Sequence, residues 1–511
     1  MSKEQNLKLG VILSYLWVVV HIATNFVFTP ILLRFLGQSE YGLYQVVASF
    51  LAYINVLESS LSAGVLRFYC EVNARDNKEK IENVLASCRI IYNRLIVFML
   101  FLGTGIVFAF RLFYRSSFTA AEINEGSMML MLLIINICIT MKNAIYLACI
   151  RGNERFAFEK AGSAVNEILK PVVCLLILFQ FPYALTVTCV QVGLNVTLSV
   201  IYCFYAKSKL HIQVVLHERD RKLERKILVF ASGILLANIA DQIFWRTDQV
   251  ILAKLYNTAT VAVYAIGAQI YTNYMYAGTM LSSVFFPKLS LYYQEEDGIE
   301  KMSALFIKVG RIAFLICFMV LSGFVIFGQE FLFLWAGREY IPAYEMALVV
   351  MIPFTVDVIQ NLGLSILQVM NEYGFRAKIY FVAALLNIGL TIILAHYFAG
   401  FGAALSTGLT MLLTSGVILN LYYAKVIRLD MTAFWKNIVS ILIRLLPLLV
   451  VGWGLNHIYG TVWTLGNFVI KGILYVVGYA VVAYLTVLNP YEKNMVNRIL
   501  KRIVMIRSNS E

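Results

Sequence analysis

Apolar residues come in long runs separated by short polar stretches over nearly the whole chain. Runs able to cross ~30 Å of hydrocarbon as α-helix lie at 9–33, 42–66, 89–110, 127–150, 162–181, 184–206, 228–253, 260–285, 308–328, 344–369, 378–397, 402–424, 436–455 and 465–488. The pattern predicts an all-α polytopic membrane protein with 14 spans. Only Phe181, Pro182 and Tyr183 part the fifth span from the sixth. The first run is too long for the apolar core of a leader peptide, so no cleavable signal is expected.

Composition agrees. Of 511 residues, 60% are hydrophobic and 14% charged, and the mean hydropathy is +0.77. That much apolar surface excludes a soluble globule, a disordered chain and a small disulfide scaffold. The formal charge of +13 points elsewhere than nucleic acid, because the basic residues are spread over short loops instead of one patch. Of the 42 Lys and Arg, all but Arg34, Arg111, Arg115, Arg246, Lys254, Arg338, Arg444 and Lys471 fall on segments facing one side of the membrane. By the positive-inside rule that side is cytoplasmic, and an even span count puts both termini there. Eight cysteines without a CxxC pair and five histidines without ligand spacing suggest reduced thiols and no metal site.

A basic stretch from His217 to Lys226 divides the chain, and its two sides resemble each other. At an offset of 218 residues Asn143 meets Asn361, Asn153 meets Asn371, Lys160 meets Lys378, and the run Tyr205 to Lys207 meets Tyr423 to Lys425. The expected organisation is two parallel six-helix repeats around a central cavity plus two C-terminal helices. In residue numbers these are a first lobe at 1–206, a cytoplasmic connector at 207–227, a second lobe at 228–425, appended helices at 426–488 and a cytoplasmic tail at 489–511. An even number of helices per repeat relates the copies by an axis along the membrane normal, which suits alternating access.

Polar residues inside the spans mark the candidate site. On the seventh span Asp248, Asp241, Trp245, Asn238, Gln249, Gln242 and Arg246 share an arc of about 160° at 100° per residue. Three ionised side chains facing lipid would cost roughly 7–10 kcal/mol, so this face is expected to meet protein or water. Asp241 and Asp248 either neutralise Arg246 or another base, or serve transport directly. Asn25, Asn55, Gln269, Asn273 and Asn361 extend the candidate cavity, with Glu58 and Asp357 as further acids. Arg246 reads as the one deeply placed base. Lys142, Arg444 and Lys471 lie close enough to span ends to snorkel toward water. No phosphate-binding loop, H-E-x-x-H or G-x-S-x-G motif occurs, and the loops are too short for a catalytic domain, so no enzyme is expected.

Three segments carry a family resemblance. The run PILLRFLGQSEYGLY from Pro30 to Tyr44, its echo DQVILAKLYNTATVAVY from Asp248 to Tyr264, and RGNERF from Arg151 to Phe156 resemble the polysaccharide transporter family. These are the flippases for O-antigen and capsule repeat units, within the multidrug/oligosaccharidyl-lipid/polysaccharide exporter superfamily. The resemblance implies a protein of the bacterial cytoplasmic membrane that turns a polyprenyl-pyrophosphate-linked oligosaccharide from the inner to the outer leaflet. It also implies membrane lipids, a polymerase and glycosyltransferases as partners, and no cofactor beyond a coupling H⁺ or Na⁺. Family cavities are usually cationic, whereas here Asp241, Asp248, Glu58 and Asp357 outnumber Arg246, which makes these acids candidates for ion coupling. Arg34, Arg67, Lys142 and Lys288, nearer the span ends, would meet a head group at entry or exit. The alternatives are a multidrug/cation antiporter, which typically has 12 spans; a peptidoglycan-precursor flippase, expected to carry more arginines in its first two helices; and a membrane enzyme or assembly factor of envelope polysaccharide synthesis.

Overall fold

The computed structural model describes residues 3–73, 78–279, 285–458, 463–490, 492–494 and 497–498, with side-chain surroundings given for all of these except 3–16, 18, 19, 237 and 277–279. The predicted tail beyond 498 lies outside the described residues. The described secondary structure is helical: α1 (Lys3–Asn73), α2 (Lys78–Phe113), α3 (Ala120–Gly152), α4 (Phe156–Leu178), α5 (Ala184–Lys209), α6 (Arg221–Leu255), α7 (Thr258–Thr279), α8 (Phe286–Tyr292), α9 (Gly298–Trp335), α10 (Ala343–Ile359), α11 (Leu362–Val369), α12 (Tyr373–Met411), α13 (Leu419–Tyr422), α14 (Met431–Leu445), α15 (Pro447–Ile458) and α16 (Leu465–Val482). Helix is the solution open to isolated spans in lipid, because each satisfies its own backbone.

Among the described residues ten helices are long and apolar enough to cross a membrane, or eleven if the bent pair α10–α11 is one span. Several predicted spans are merged or broken relative to the hydropathy pattern. The first two run together in α1, interrupted only at Gly37, whose φ of +73° is the left-handed region that glycine enters without a Cβ clash. The eleventh and twelfth run together through α12, interrupted at Ala399. The eighth, α7, is not among the ten, because Gln269, Thr272, Asn273 and its tyrosines lower its hydropathy. The tenth bends by 44° where Gln360 and Asn361 part α10 from α11.

Two compact units divide the chain. The first comprises 1–266 and 380–407, the second 267–379 and 408–511. Residues 228–266 and 380–407, which the sequence groups with the second repeat, thus pack within the first unit. There α1 packs on α3, α4 and α6, and α3 on α2 and α5. A close approach at Gly42 explains part of this: a Cβ there would stand 1.8 Å from the Thr258 carbonyl oxygen, so glycine alone lets α1 reach the start of α7. Phe50, Phe110, Tyr114 and Phe118 fill the neighbouring core edge-on and stacked. In the second unit α9 is central, packed by α10, α14, α15 and α16, with the Phe434 ring lying over Gly310. Large apolar side chains such as Phe101, Phe204 and Val450 are exposed, as expected of surfaces whose solvent is lipid.

Helix ends follow local chemistry. Thr119 caps α3 in a reciprocal pair with Glu122, and Asp220 accepts from the amides of Lys222 and Leu223 to start α6. Just inside that start, Glu224 accepts from Arg219 at 3.0 Å and from Arg94 at 3.0 Å, tying the connector to α2. The hydrogen bond from Arg219, with the charge of Arg94 behind it, holds the Glu224 carboxyl below its ordinary value of 4.5. A depressed carboxyl stabilises above its unfolded value and loses that contribution as pH falls through the folded one. Protection from hydrogen exchange over residues 217–226, taken relative to the intrinsic rate at each pH, should therefore hold from about pH 7 to about pH 5 and fall below. In Glu224→Gln that protection should be low throughout the range.

Candidate functional site

Spacing along three helices builds a polar pocket inside the first unit. Asn55, Glu58 and Ser59 stand at i, i+3 and i+4 on α1, so they share one face. Asn136 and Thr140 on α3, and Gln191 and Asn195 on α5, are i, i+4 pairs on their own helices. With Gln242 of α6 and the apolar Leu51, Ala52 and Val56 they line an open cleft of about 480 Å³. Neighbours orient several of these groups. Tyr44 donates to Gln191 at 3.1 Å, Asn166 to Asn195 at 3.4 Å, and Ser62 to Glu58 at 3.1 Å. Asn136 is 6% exposed and its Oδ1 has no hydrogen-bond partner.

A charged cluster occupies the same unit. His21 Nδ1 lies 2.9 Å from Glu167, Asn25 donates to the His21 carbonyl at 2.9 Å, and Lys170 lies beside Glu167 and Tyr44. The Lys160 ammonium sits 5.3 Å over the Trp17 ring.

The polar stripe of the seventh span, now α6, serves several surroundings at once. Gln242 lines the pocket, Asn238 donates to Ser60 at 3.2 Å, and Gln249 is buried and accepts from Ser49. Trp245 and Arg246 are half-buried and Asp241 is exposed. Thr247, on the opposite arc, hydrogen-bonds Tyr53 at 2.7 Å. Asp248 is 2% exposed and accepts from three hydroxyls: Tyr264 at 2.5 Å, Thr407 at 2.7 Å and Thr391 at 2.8 Å. Ser406 and Asn387 extend that network. Of the two readings left open for Asp248, the geometry supplies hydroxyl partners instead of Arg246.

The remaining candidates are not among the residues that line this pocket. Asp357 accepts from Ser415 at 2.7 Å in the second unit, where Gln269 and Asn361 are half-buried and the Asn273 Nδ2 is buried without a partner. Arg34, Lys142 and Lys288 are exposed, as is Arg67, whose guanidinium stacks 4.3 Å over the Phe230 ring. Among the described residues no group of three His, Cys, Asp or Glu is placed to hold a metal.

The reading of Arg246 as the one deep base is corrected. Lys170 is half-buried in the middle of the fifth span beside Glu167 and Tyr44, and Arg311 is largely buried against Glu492 at 2.8 Å. Lys471, expected to snorkel, is fully buried in an ion pair with Glu330, and Asn456 accepts from it at 3.0 Å. The partner is too far along the sequence for hydropathy to reveal. Lys170 and Glu167 were legible, being charges inside an apolar run, as was the Gln191 and Asn195 pair at helical spacing.

The family model described as "Polysaccharide biosynthesis protein" matches residues 31–345. No curated protein matches the chain. Among solved structures, the fold resembles the lipid II flippase MurJ in an inward closed conformation, with TM-score 0.73 and 13% identity over 96% of this chain and 99% of that one. It also resembles an inward-facing multidrug resistance MATE family transporter of the MOP superfamily, with TM-score 0.67 and 14% identity over 82% and 95% of the two chains. A MOP superfamily transporter from Pyrococcus furiosus is similar at TM-score 0.55 and 14% identity, over 81% and 92%. At these identities the likeness is one of fold.

Proposed function

Because the chain belongs to the polysaccharide biosynthesis protein family, we propose that this multi-pass membrane protein is a flippase. It carries a polyprenyl-pyrophosphate-linked oligosaccharide from the inner to the outer leaflet of the cytoplasmic membrane, with both termini cytoplasmic. The observation that carries the reading is the polar cleft lined by membrane-spanning helices of the first unit. Such a pocket is costly in lipid unless it serves a hydrophilic cargo. The sugar head group occupies polar space within the protein while the polyprenyl tail stays in hydrocarbon. Arg246 meets the pyrophosphate, for which a guanidinium supplies both charge and paired donors. Asp248, amid the oxygens of Tyr264, Thr391 and Thr407, takes up the coupling H⁺ or Na⁺. The two lobes alternate access to the two sides, and polymerase and glycosyltransferases act on either side of the step. The likeness in fold to a lipid II flippase supports this reading. The likeness to a multidrug transporter keeps drug–cation exchange as the competing one.

Cells lacking the protein should lose surface polysaccharide and accumulate its lipid-linked precursor facing the cytoplasm. Wild type should restore display, whereas Arg246→Ala should not, at unchanged protein level. Full display by Arg246→Ala would remove the phosphate role from Arg246. Unchanged display without any copy of the protein would refute the flippase reading.

A further inference from the structure

The polar pocket is selective in its chemistry. Five amide side chains line it: Asn55, Asn136, Gln191, Asn195 and Gln242. Each carries both donors and acceptors, which complements hydroxyl groups, themselves donor and acceptor at once. Among the described residues no Lys or Arg lines it, and the one charged-type side chain in its lining is the carboxyl of Glu58. A phosphate or uronate placed here would meet the Glu58 carboxyl and no lining cation, an unfavourable exchange for the water it loses. A neutral sugar ring carries no such penalty. At about 480 Å³ the pocket falls within the ordinary range for small-ligand sites.

The wall also holds an unanswered group. The Asn136 Oδ1 is buried and unpartnered, although buried amide oxygens are nearly always paired. Asn136 stands one turn from Thr140 on α3 and lines the pocket with it, so a turn of its amide toward the cavity would let a donor there answer the Oδ1. Tyr44 and Asn166 meanwhile engage Gln191 and Asn195 from the side, which sets the orientation of those two amides.

We propose that this pocket is the subsite for uncharged, polyhydroxylated sugar rings of the cargo, with Asn136 accepting a sugar hydroxyl, and that it discriminates against acidic sugars. The inference rests on the flippase reading and adds a division of labour within it. The glycan is read by amides of α1, α3, α5 and α6, apart from whatever binds the pyrophosphate. Selectivity follows because a site built to hydrogen-bond hydroxyls rejects ligands that leave its polar groups unpaired or that bring an uncompensated charge.

The full chain in proteoliposomes tests this with two lipids, a polyprenyl-pyrophosphate bearing a neutral disaccharide and the same lipid with a uronic acid in place of one sugar. Wild type should move the neutral lipid at least about tenfold faster. Asn136→Leu should slow the neutral lipid by at least about tenfold while leaving the thermal midpoint intact, since it removes an orphaned acceptor for a side chain of similar volume. Asn55→Leu, at an exposed position, should slow it in the same direction. Glu58→Gln should narrow the gap between the lipids. Equal wild-type rates for both lipids, or Asn136→Leu and Asn55→Leu at wild-type rates, would overturn the subsite. If wild type moves neither lipid, the flippase reading fails separately. Calorimetric binding of the free neutral disaccharide then decides the pocket: binding lost in Asn136→Leu upholds it, and no binding by wild type overturns it.

Discussion

Asp248→Asn is expected to lower translocation at least about a hundredfold, about 2.7 kcal/mol in activation free energy, with the protein still folded. The carboxylate is buried and its contacts are the hydroxyls of Tyr264, Thr391 and Thr407. Hydroxyls rotate and can accept as well as donate, so an asparagine amide can be satisfied in the same space. What it cannot reproduce is the negative charge. If Asp248 takes up the coupling ion, the variant should also lose its response to an imposed H⁺ or Na⁺ gradient. Asp248→Ala goes further, because three buried hydroxyls lose their shared acceptor and the network through Ser406 and Asn387 loses its centre, so folding should suffer too. Initial translocation rates with and without a gradient, at matched protein, give the answer. A wild-type rate and gradient response in Asp248→Asn would free this residue of any coupling role.

Breaking the buried pair in the second unit should have the largest effect on stability. Lys471 and Glu330 are 0% and 2% exposed and meet in an ion pair. Lys471→Met leaves the Glu330 carboxylate without its cation, at about 3–5 kcal/mol. Glu330 also borders a cavity of about 650 Å³, and water entering there would set the lower end of that range. Removing both charges together, Glu330→Leu with Lys471→Met, should recover most of the loss, because the desolvation cost disappears with the pair. Thermal unfolding in detergent should show a large drop in each single variant and a midpoint near wild type in the double one. A double variant as unstable as the singles would mean that packing, and not charge, is what this site contributes.

Several features of the fold were readable from residue order alone. Hydropathy located the helices of a multi-pass membrane protein, and the run from Pro30 to Tyr44 pointed to the family. Breaks within spans were harder. Gly37 interrupts α1 through one backbone angle, and the tenth span bends at Gln360 and Asn361 although the run as a whole stays apolar enough to cross. The site was legible in part. The sequence named Asn55, Glu58 and Gln242, which the structure gathers in one pocket with Asn136, Thr140, Gln191 and Asn195. A helical wheel, however, sorts residues by angle and not by neighbour. It grouped Asp248 with Arg246, whereas tertiary packing gives Asp248 to Thr391 and Thr407, some 150 residues on. The same limit hid Glu330 from Lys471, and a lysine near a span end reads as snorkelling until its partner is known.

The most direct measurement is leaflet exchange in proteoliposomes holding the full chain and a lipid-linked oligosaccharide, with outer-leaflet glycan detected by a membrane-impermeant lectin or glycosidase. Rapid appearance of glycan outside vesicles that contain wild type, absent from empty vesicles and from those with Arg246→Ala, is the predicted result. Exposure no faster than in empty vesicles, at verified incorporation and under either an H⁺ or a Na⁺ gradient, would contradict the assignment as a flippase.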